Sequence, residues 1–229
     1  MSKKLFYIVA LALLLAGCQA RETEVVILSL NDLHAKIDNL DKVAAFVEKE
    51  RAENPNVLLL AAGDLFSGNP VVDYYPDKGF PMIDLMNEIK FDAVTLGNHE
   101  FDYGQNALAN RMAQANFPFL CANICADSSK IPAPKPYLFF TKTGEKVCVV
   151  GLGQERPEAL TESLKNLTFH NPIEELSKYT WLRKKSNLLI ALTHLGVEQD
   201  SLLALRYGAL DLIVGGHSHT KLDTGMLVN

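Results

Sequence analysis

The sequence predicts an α/β domain in which buried strands alternate with amphipathic helices. Three observations lead there. Short, near-continuous apolar runs rich in Val, Ile and Leu recur along the chain, stretches with helical spacing separate them, and most histidines stand just behind the runs. Runs of that kind suit strands covered on both faces, and strand–helix alternation builds layered sheets whose ligand sites lie at the C-terminal strand ends.

The apolar runs occupy residues 25–30, 57–62, 93–96, 147–152, 188–192 and 210–214. Between them, Leu40, Val43, Ala44 and Val47 recur at helical spacing, as do Met82, Leu85, Met86 and Ile89, and then Leu108, Met112 and Ala115. Ile173, Leu176 and Leu182 suggest a further helix, and Leu202, Leu203 and Leu205 another. Residues 127–136 carry three prolines and read as a surface connection. No tandem repeat is present, and 229 residues with 48% hydrophobic content suffice for one sizeable core.

The N-terminus reads separately. Lys3 and Lys4 precede an apolar run over residues 5–16, too short to span a bilayer ~30 Å thick and patterned as a signal peptide. It ends in Leu15-Ala16-Gly17-Cys18, which resembles the lipobox of bacterial lipoproteins. The expectation is a leader over 1–17, lipidation at Cys18, a tether over 18–23 and a catalytic domain over 24–229. Two acyl chains at Cys18 would hold the protein at a membrane of the bacterial cell envelope. Gln19, where an Asp would favour inner-membrane retention, leans toward a periplasmic or surface lipoprotein of the outer membrane.

The net charge is −5, and removing residues 1–17 leaves 20 basic residues against 27 acidic ones. No cluster of Lys and Arg appears, which excludes nucleic acid duplexes as partners, because phosphate contacts need concentrated positive charge. Cys121, Cys125 and Cys148 are odd in number, so at least one stays free, and Cys121 and Cys148 read as small core residues.

Five of the six histidines, His34, His99, His194, His217 and His219, follow apolar runs, and only His170 does not. The same run ends supply Asp32, Asp64, Asn98 and Asp102. Each signal alone has an ordinary reading. Asp32-Leu33-His34 could be a surface turn, and Asp64 could cap a helix. Gly97-Asn98-His99-Glu100-Phe101-Asp102 and Gly215-Gly216-His217-Ser218-His219 are more specific, since glycine permits a tight turn while coordinating groups follow within a few positions.

Together, Asp32-Leu33-His34, Gly63-Asp64, Gly97-Asn98-His99-Glu100, Thr193-His194 and Gly216-His217-Ser218-His219 resemble the signature blocks of calcineurin-like metallophosphoesterases. Asn31-Asp32-Leu33-His34, the longer Gly97–Asp102 block, and the passage from Asn116 through Ala122-Asn123 resemble the 5′-nucleotidase and UDP-sugar hydrolase branch. The resemblance covers about residues 24–225. It implies a four-layer α/β fold of two facing sheets flanked by helices, and two divalent ions of the Zn, Mn, Fe, Co or Ni type. Asp32, His34 and His219 would hold one ion, Asn98, His194 and His217 the other, and Asp64 would bridge them. His99 would stabilise the transition state or protonate the leaving oxygen, oriented by Asp102, while Glu100 is expected near a helix N-terminus without a metal.

The implied function is hydrolysis of phosphate monoesters, nucleotides foremost. Cyclic nucleotide phosphodiester or UDP-sugar hydrolysis is the alternative within the class, and a non-catalytic metal-binding lipoprotein or one subunit of a split nucleotidase the alternative outside it. Longer members of the branch carry a further nucleobase-binding domain, so a separate specificity subunit is an expected partner. The chain also stops ten residues after His219, which leads us to expect absent last strands and an unpaired sheet edge near residues 223–228.

Overall fold

Each of the six apolar runs forms a strand. In the computed structural model, which describes residues 23–228, the order is β1 (Val26–Leu30), α1 (Leu40–Glu53), β2 (Val57–Ala61), the single-turn α2 (Pro70–Asp73), α3 (Phe80–Ile89), β3 (Ala93–Thr95), α4 (Gly104–Gln114), β4 (Phe119–Leu120), β5 (Ile124–Cys125), β6 (Tyr137–Lys142), β7 (Glu145–Leu152), β8 (Thr168–Phe169), α5 (Pro172–Leu176), β9 (Leu188–Thr193), α6 (Val197–Arg206) and β10 (Leu212–Gly215). The expected leader and the lipidation site Cys18 lie outside the described residues. Among the described residues, no helix is long and apolar enough to cross a membrane.

Two four-stranded sheets face one another. The first, in the order β1-β2-β3-β4, is parallel throughout. In the second, β10-β9-β7-β6, only β6 runs antiparallel. The period of two along each strand divides its side chains between layers. Leu58 and Leu60 of β2 meet Val147, Val149, Ile190 and Leu192 between the sheets. Leu59 and Ala61 point the other way, onto Val47, Met82, Met86 and Leu108 of the first helical layer. Behind the second sheet, Cys148, Val150, Leu189 and Ala191 pack on Leu176, Leu182 and Leu203. Burial on both faces explains the unbroken apolar runs, each such Val, Leu or Ile contributing roughly 1.5–3 kcal/mol.

Several elements differ from the sequence reading. Ile173, Leu176 and Leu182 do face one core, but through the five-residue α5 followed by a 3-10 stretch, Ser177–Lys185. Asn171 fixes the start of α5, its side chain accepting from the amides of Ile173 and Glu174 with Pro172 in the first helical position. In α6 only Leu203 is buried, while Leu202 and Leu205 face solvent. β6 forms an unanticipated hairpin with β7, closed by Thr143 and Gly144, both at positive φ; the Thr-Gly pair was its only sequence signal. No strand follows β10 among the described residues, so Leu212–Gly215 is an edge strand of the second sheet and residues 223–228 form no strand. Cys121, Cys125 and Cys148 are all free, and burial pushes the Cys121 and Cys148 thiols up to about 12, as expected of inert core residues.

Candidate metal centre

Because the site-bearing strands run parallel within their sheets, their C-terminal ends share one side of the molecule. Asp32 and His34 follow β1, Asp64 follows β2, Asn98 and His99 follow β3, His194 follows β9, and His217 and His219 follow β10. Asp32, His34 and His219 bring one donor atom each to within 4.8 Å of one another, and Asp64, His194 and His217 do the same. In the first cluster His34 Nε2 lies 3.2 Å from His219 Nε2, and His219 Nε2 lies 3.7 Å from Asp32 Oδ1. Asp64 Oδ2 stands 3.1 Å from His194 Nε2 and 3.9 Å from His34 Nε2, so one carboxylate oxygen faces both clusters.

Two polar atoms test whether cations fit. The Asn98 side-chain oxygen and His194 Nε2 are buried without an aligned hydrogen-bond partner. Leaving such atoms unsatisfied costs about 1–3 kcal/mol each, a penalty that coordination would remove. The second nitrogen of His194 is committed, since Nδ1 donates to the Ala62 carbonyl at 2.6 Å. That bond leaves the Nε2 lone pair aimed into the cluster, the arrangement of a metal-binding imidazole. Carboxylate, amide and imidazole donors without thiolate suit a divalent cation of borderline or hard character.

The backbone is bent to achieve this. Asp32, His34, Asp64, His217 and His219 all adopt positive φ, between 44° and 83°. Such conformations cost non-glycine residues of order 1–3 kcal/mol each and persist where surrounding bonds enforce them. Here the His217 amide donates to Asp32 Oδ1 at 2.9 Å, the Asn31 side chain donates to Asp32 Oδ2 at 2.5 Å, and the His99 amide donates to Asp64 Oδ1 at 2.9 Å. Gly63 and Gly97 meet back to back beneath the clusters. A Cβ on Gly97 would collide with Asp64 Oδ1 and approach His194 Cε1 to 2.9 Å. Gly97→Ala should therefore displace Asp64 and weaken divalent-ion binding by at least ~10-fold, read by calorimetric titration; unchanged binding would mean that this packing is not needed.

His99 Nδ1 donates to Asp102 Oδ2 at 2.8 Å. His99 also lies within 4.8 Å of donors from His34 and Asp64, so it stands against the metal-competent cluster. Burial disfavours the His99 cation, but Asp102 and Asp64 outweigh it and raise the pKa above the ordinary value. His34 and His217 are held below theirs, first by burial, which keeps them in the neutral form that coordination needs.

Sequence reasoning missed several supports. Ser67 donates to Asp102 Oδ2 at 2.6 Å, so that oxygen serves both His99 and a serine from the loop after β2. Glu100 lies in a single 3-10 turn, His99–Phe101, but its carboxylate is not spent on a helix end. It is fully buried and accepts from the backbone amides of Asp64, Leu65 and Gly97 at 2.6–2.9 Å, locking two strand-end loops together. Burial and the nearby Asp64 charge push its carboxyl up to about 7.

Asp200, which nothing in its local sequence marks, accepts from Thr193 Oγ1 at 2.7 Å, one residue before His194. Burial raises its pKa from 3.8 to about 6. An acid whose folded pKa exceeds its unfolded one binds its proton more tightly when folded, so this group's contribution to stability falls as pH rises from about 4 to about 6. Asp200→Asn removes that titration. The melting temperature of the variant minus that of the parent should climb across this interval in a pH series, and a constant difference would contradict it.

Comparison with known proteins places this geometry. The family model for the calcineurin-like phosphoesterases matches residues 25–221, a span holding every residue of both clusters. The chain is 36% identical to the 5′-nucleotidase of Bos taurus, over 90% of this chain and 40% of that protein. It is 32% identical to the trifunctional nucleotide phosphoesterase YfkN of Bacillus subtilis, over 90% of this chain and 16% of that protein. Among solved structures, the 5′-nucleotidase precursor of Thermus thermophilus superposes with a TM-score of 0.81 at 29% identity, covering 88% of this chain and 43% of that one. The chain thus spans two fifths or less of the length of these curated relatives. The family match extends over most of the described domain, and the chain belongs to the calcineurin-like phosphoesterase family.

Proposed function

We propose that the chain hydrolyses phosphate monoesters, with nucleotides as the main substrate class, at a pair of divalent cations. The observation that carries this is the double cluster joined by Asp64, with buried, unpartnered atoms on Asn98 and His194. Asp32, His34 and His219 would hold one ion, Asn98, His194 and His217 the other, with Asp64 between them. When bound, two neighbouring divalent ions supply Lewis-acid charge to the phosphoryl oxygens and lower the pKa of the attacking water. Asn98 contributes a neutral oxygen, which leaves the site positive enough to attract a dianion. His99, polarised through Nδ1 by Asp102, gives a proton to the departing ester oxygen.

The nucleotide preference is supported by the names of the relatives, 5′-nucleotidase and nucleotide phosphoesterase. Phosphate release with Mn or Zn should be fastest from nucleoside 5′-monophosphates in a panel that includes cyclic nucleotides, UDP-sugars and p-nitrophenyl phosphate. Faster turnover of a diester or nucleotide sugar would move the assignment within the class, and release from none would overturn it. Export and lipid anchoring at Cys18 form part of this proposal, supported by the Lys3-Lys4, apolar and Leu15–Cys18 pattern. Fatty-acid labelling in cells should then be lost in Cys18→Ser.

A further inference from the structure

His194 has its second ring nitrogen committed to a backbone carbonyl, and His217 in the same cluster has a counterpart in a side chain. Gln154 follows β7 by two residues, at the same end of the second sheet as His194 and His217. Its Nε2 is placed 3.0 Å from His217 Nε2, and its Oε1 is buried with no partner. In that orientation the amide donates to His217 Nε2, which consumes the lone pair there and requires the proton of a neutral ring to sit on Nδ1. Neither nitrogen could then coordinate.

A half-turn of the amide exchanges its oxygen and nitrogen without moving any other atom, and such flips are assigned from the hydrogen-bond network. It gives the amide oxygen a partner in His217 Nε2–H and frees the Nδ1 lone pair, while the amide nitrogen takes the buried position that the oxygen held. The backbone beneath Gln154 is fixed independently. Asn123, fully buried, accepts from the Gly153 amide at 2.8 Å and donates to the carbonyls of Gly153 at 2.8 Å and His170 at 3.0 Å. A buried amide clamp thus holds the residue next to Gln154 from both sides, and the loop has little freedom to carry the side chain away.

We propose that Gln154 is a positioning residue whose amide oxygen accepts the Nε2 proton of His217, so that His217 presents Nδ1 to the cation shared with Asp64 and His194. This rests on the two-cation reading of the site and adds to it a residue outside the metal-ligand motifs. Outer partners of metal-binding histidines fix the tautomer and ring orientation, and their loss typically weakens metal affinity by about 10–100-fold.

The test is calorimetric titration of metal-stripped protein with Mn, and with Co while following its visible absorption, for the parent, Gln154→Leu and Gln154→Glu. Gln154 is only partly buried, and a melting temperature near that of the parent verifies folding of each variant. Gln154→Leu should lower the affinity for one of two ions by about 10–100-fold and alter the Co spectrum, leaving the other ion's affinity as in the parent. Gln154→Glu keeps an acceptor and should restore affinity and spectrum. Parent-like binding by Gln154→Leu overturns the proposal, as does a Gln154→Glu that behaves like the leucine variant, since an acceptor at this position would then not be what supports His217. Failure of the parent to take up two ions would sink the two-cation reading itself, a result distinct from either variant outcome.

Discussion

Asp64→Ala should lower phosphate release by about 10³-fold or more and lower the stoichiometry of bound divalent ions below that of the parent. Asp64 Oδ2 is the atom that faces both clusters, 3.1 Å from His194 Nε2 and 3.9 Å from His34 Nε2. Two divalent ions ~3.5–4 Å apart concentrate four positive charges, and a shared carboxylate is the group that lowers their mutual repulsion. The fold itself should survive, because the loop is also held by Glu100, which accepts from the Asp64 and Leu65 amides regardless of the side chain at 64. Metal analysis paired with the phosphate assay and circular dichroism reads all three quantities. A folded variant that keeps full metal and activity would remove Asp64 from the centre.

His99→Ala should slow turnover by ~10² to 10⁴-fold while leaving metal stoichiometry as in the parent. The reason is geometric. His99 spends Nδ1 on Asp102 at 2.8 Å, and Asp102 is in turn fixed by Ser67, so the ring is oriented by its own support outside the two three-residue clusters joined by Asp64. The competing arrangement is also visible, since His99 lies within coordinating reach of His34 and Asp64. Loss of an ion in His99→Ala would make His99 a ligand and leave the proton-transfer role without an owner. The measurement is kcat for nucleoside monophosphates beside elemental analysis of the same preparation.

What the sequence made legible and what it hid separate along a physical line. His34, His99, His194, His217 and His219 could be found because each sits within four residues of the end of a strand whose apolar run is itself a local signal. In β2, β7 and β9 the continuous runs reported burial on both faces correctly, as the three layers of core around them demonstrate, whereas the edge strands β1 and β10 are only partly buried. Supports chosen by tertiary contact left no such trace. Ser67 meets Asp102 across 35 positions, Glu100 meets Leu65 across 35, and Gln154 meets His217 across 63. Nothing in the neighbourhood of any of these residues marks its partner.

In α6 the local pattern marked the helix but not its rotation. The helix that Leu202, Leu203 and Leu205 suggested is present, but it exposes Leu202 and Leu205 and turns Asp200 inward against Thr193. The hydrogen bond to Thr193 and the turn that begins at Gly196 set the rotation of this helix, and its apolar residues follow. The short β5 and β8 were invisible for a different reason, since two-residue strands have no periodicity to detect.

The central claim is that residues from five strand ends converge on two adjacent cations. Anomalous diffraction from crystals grown with Mn tests it most directly. The account predicts two peaks about 3.5–4 Å apart on either side of the Asp64 carboxylate, one against Asp32, His34 and His219 and one against Asn98, His194 and His217. A single peak, none, or peaks away from Asp64 would contradict it.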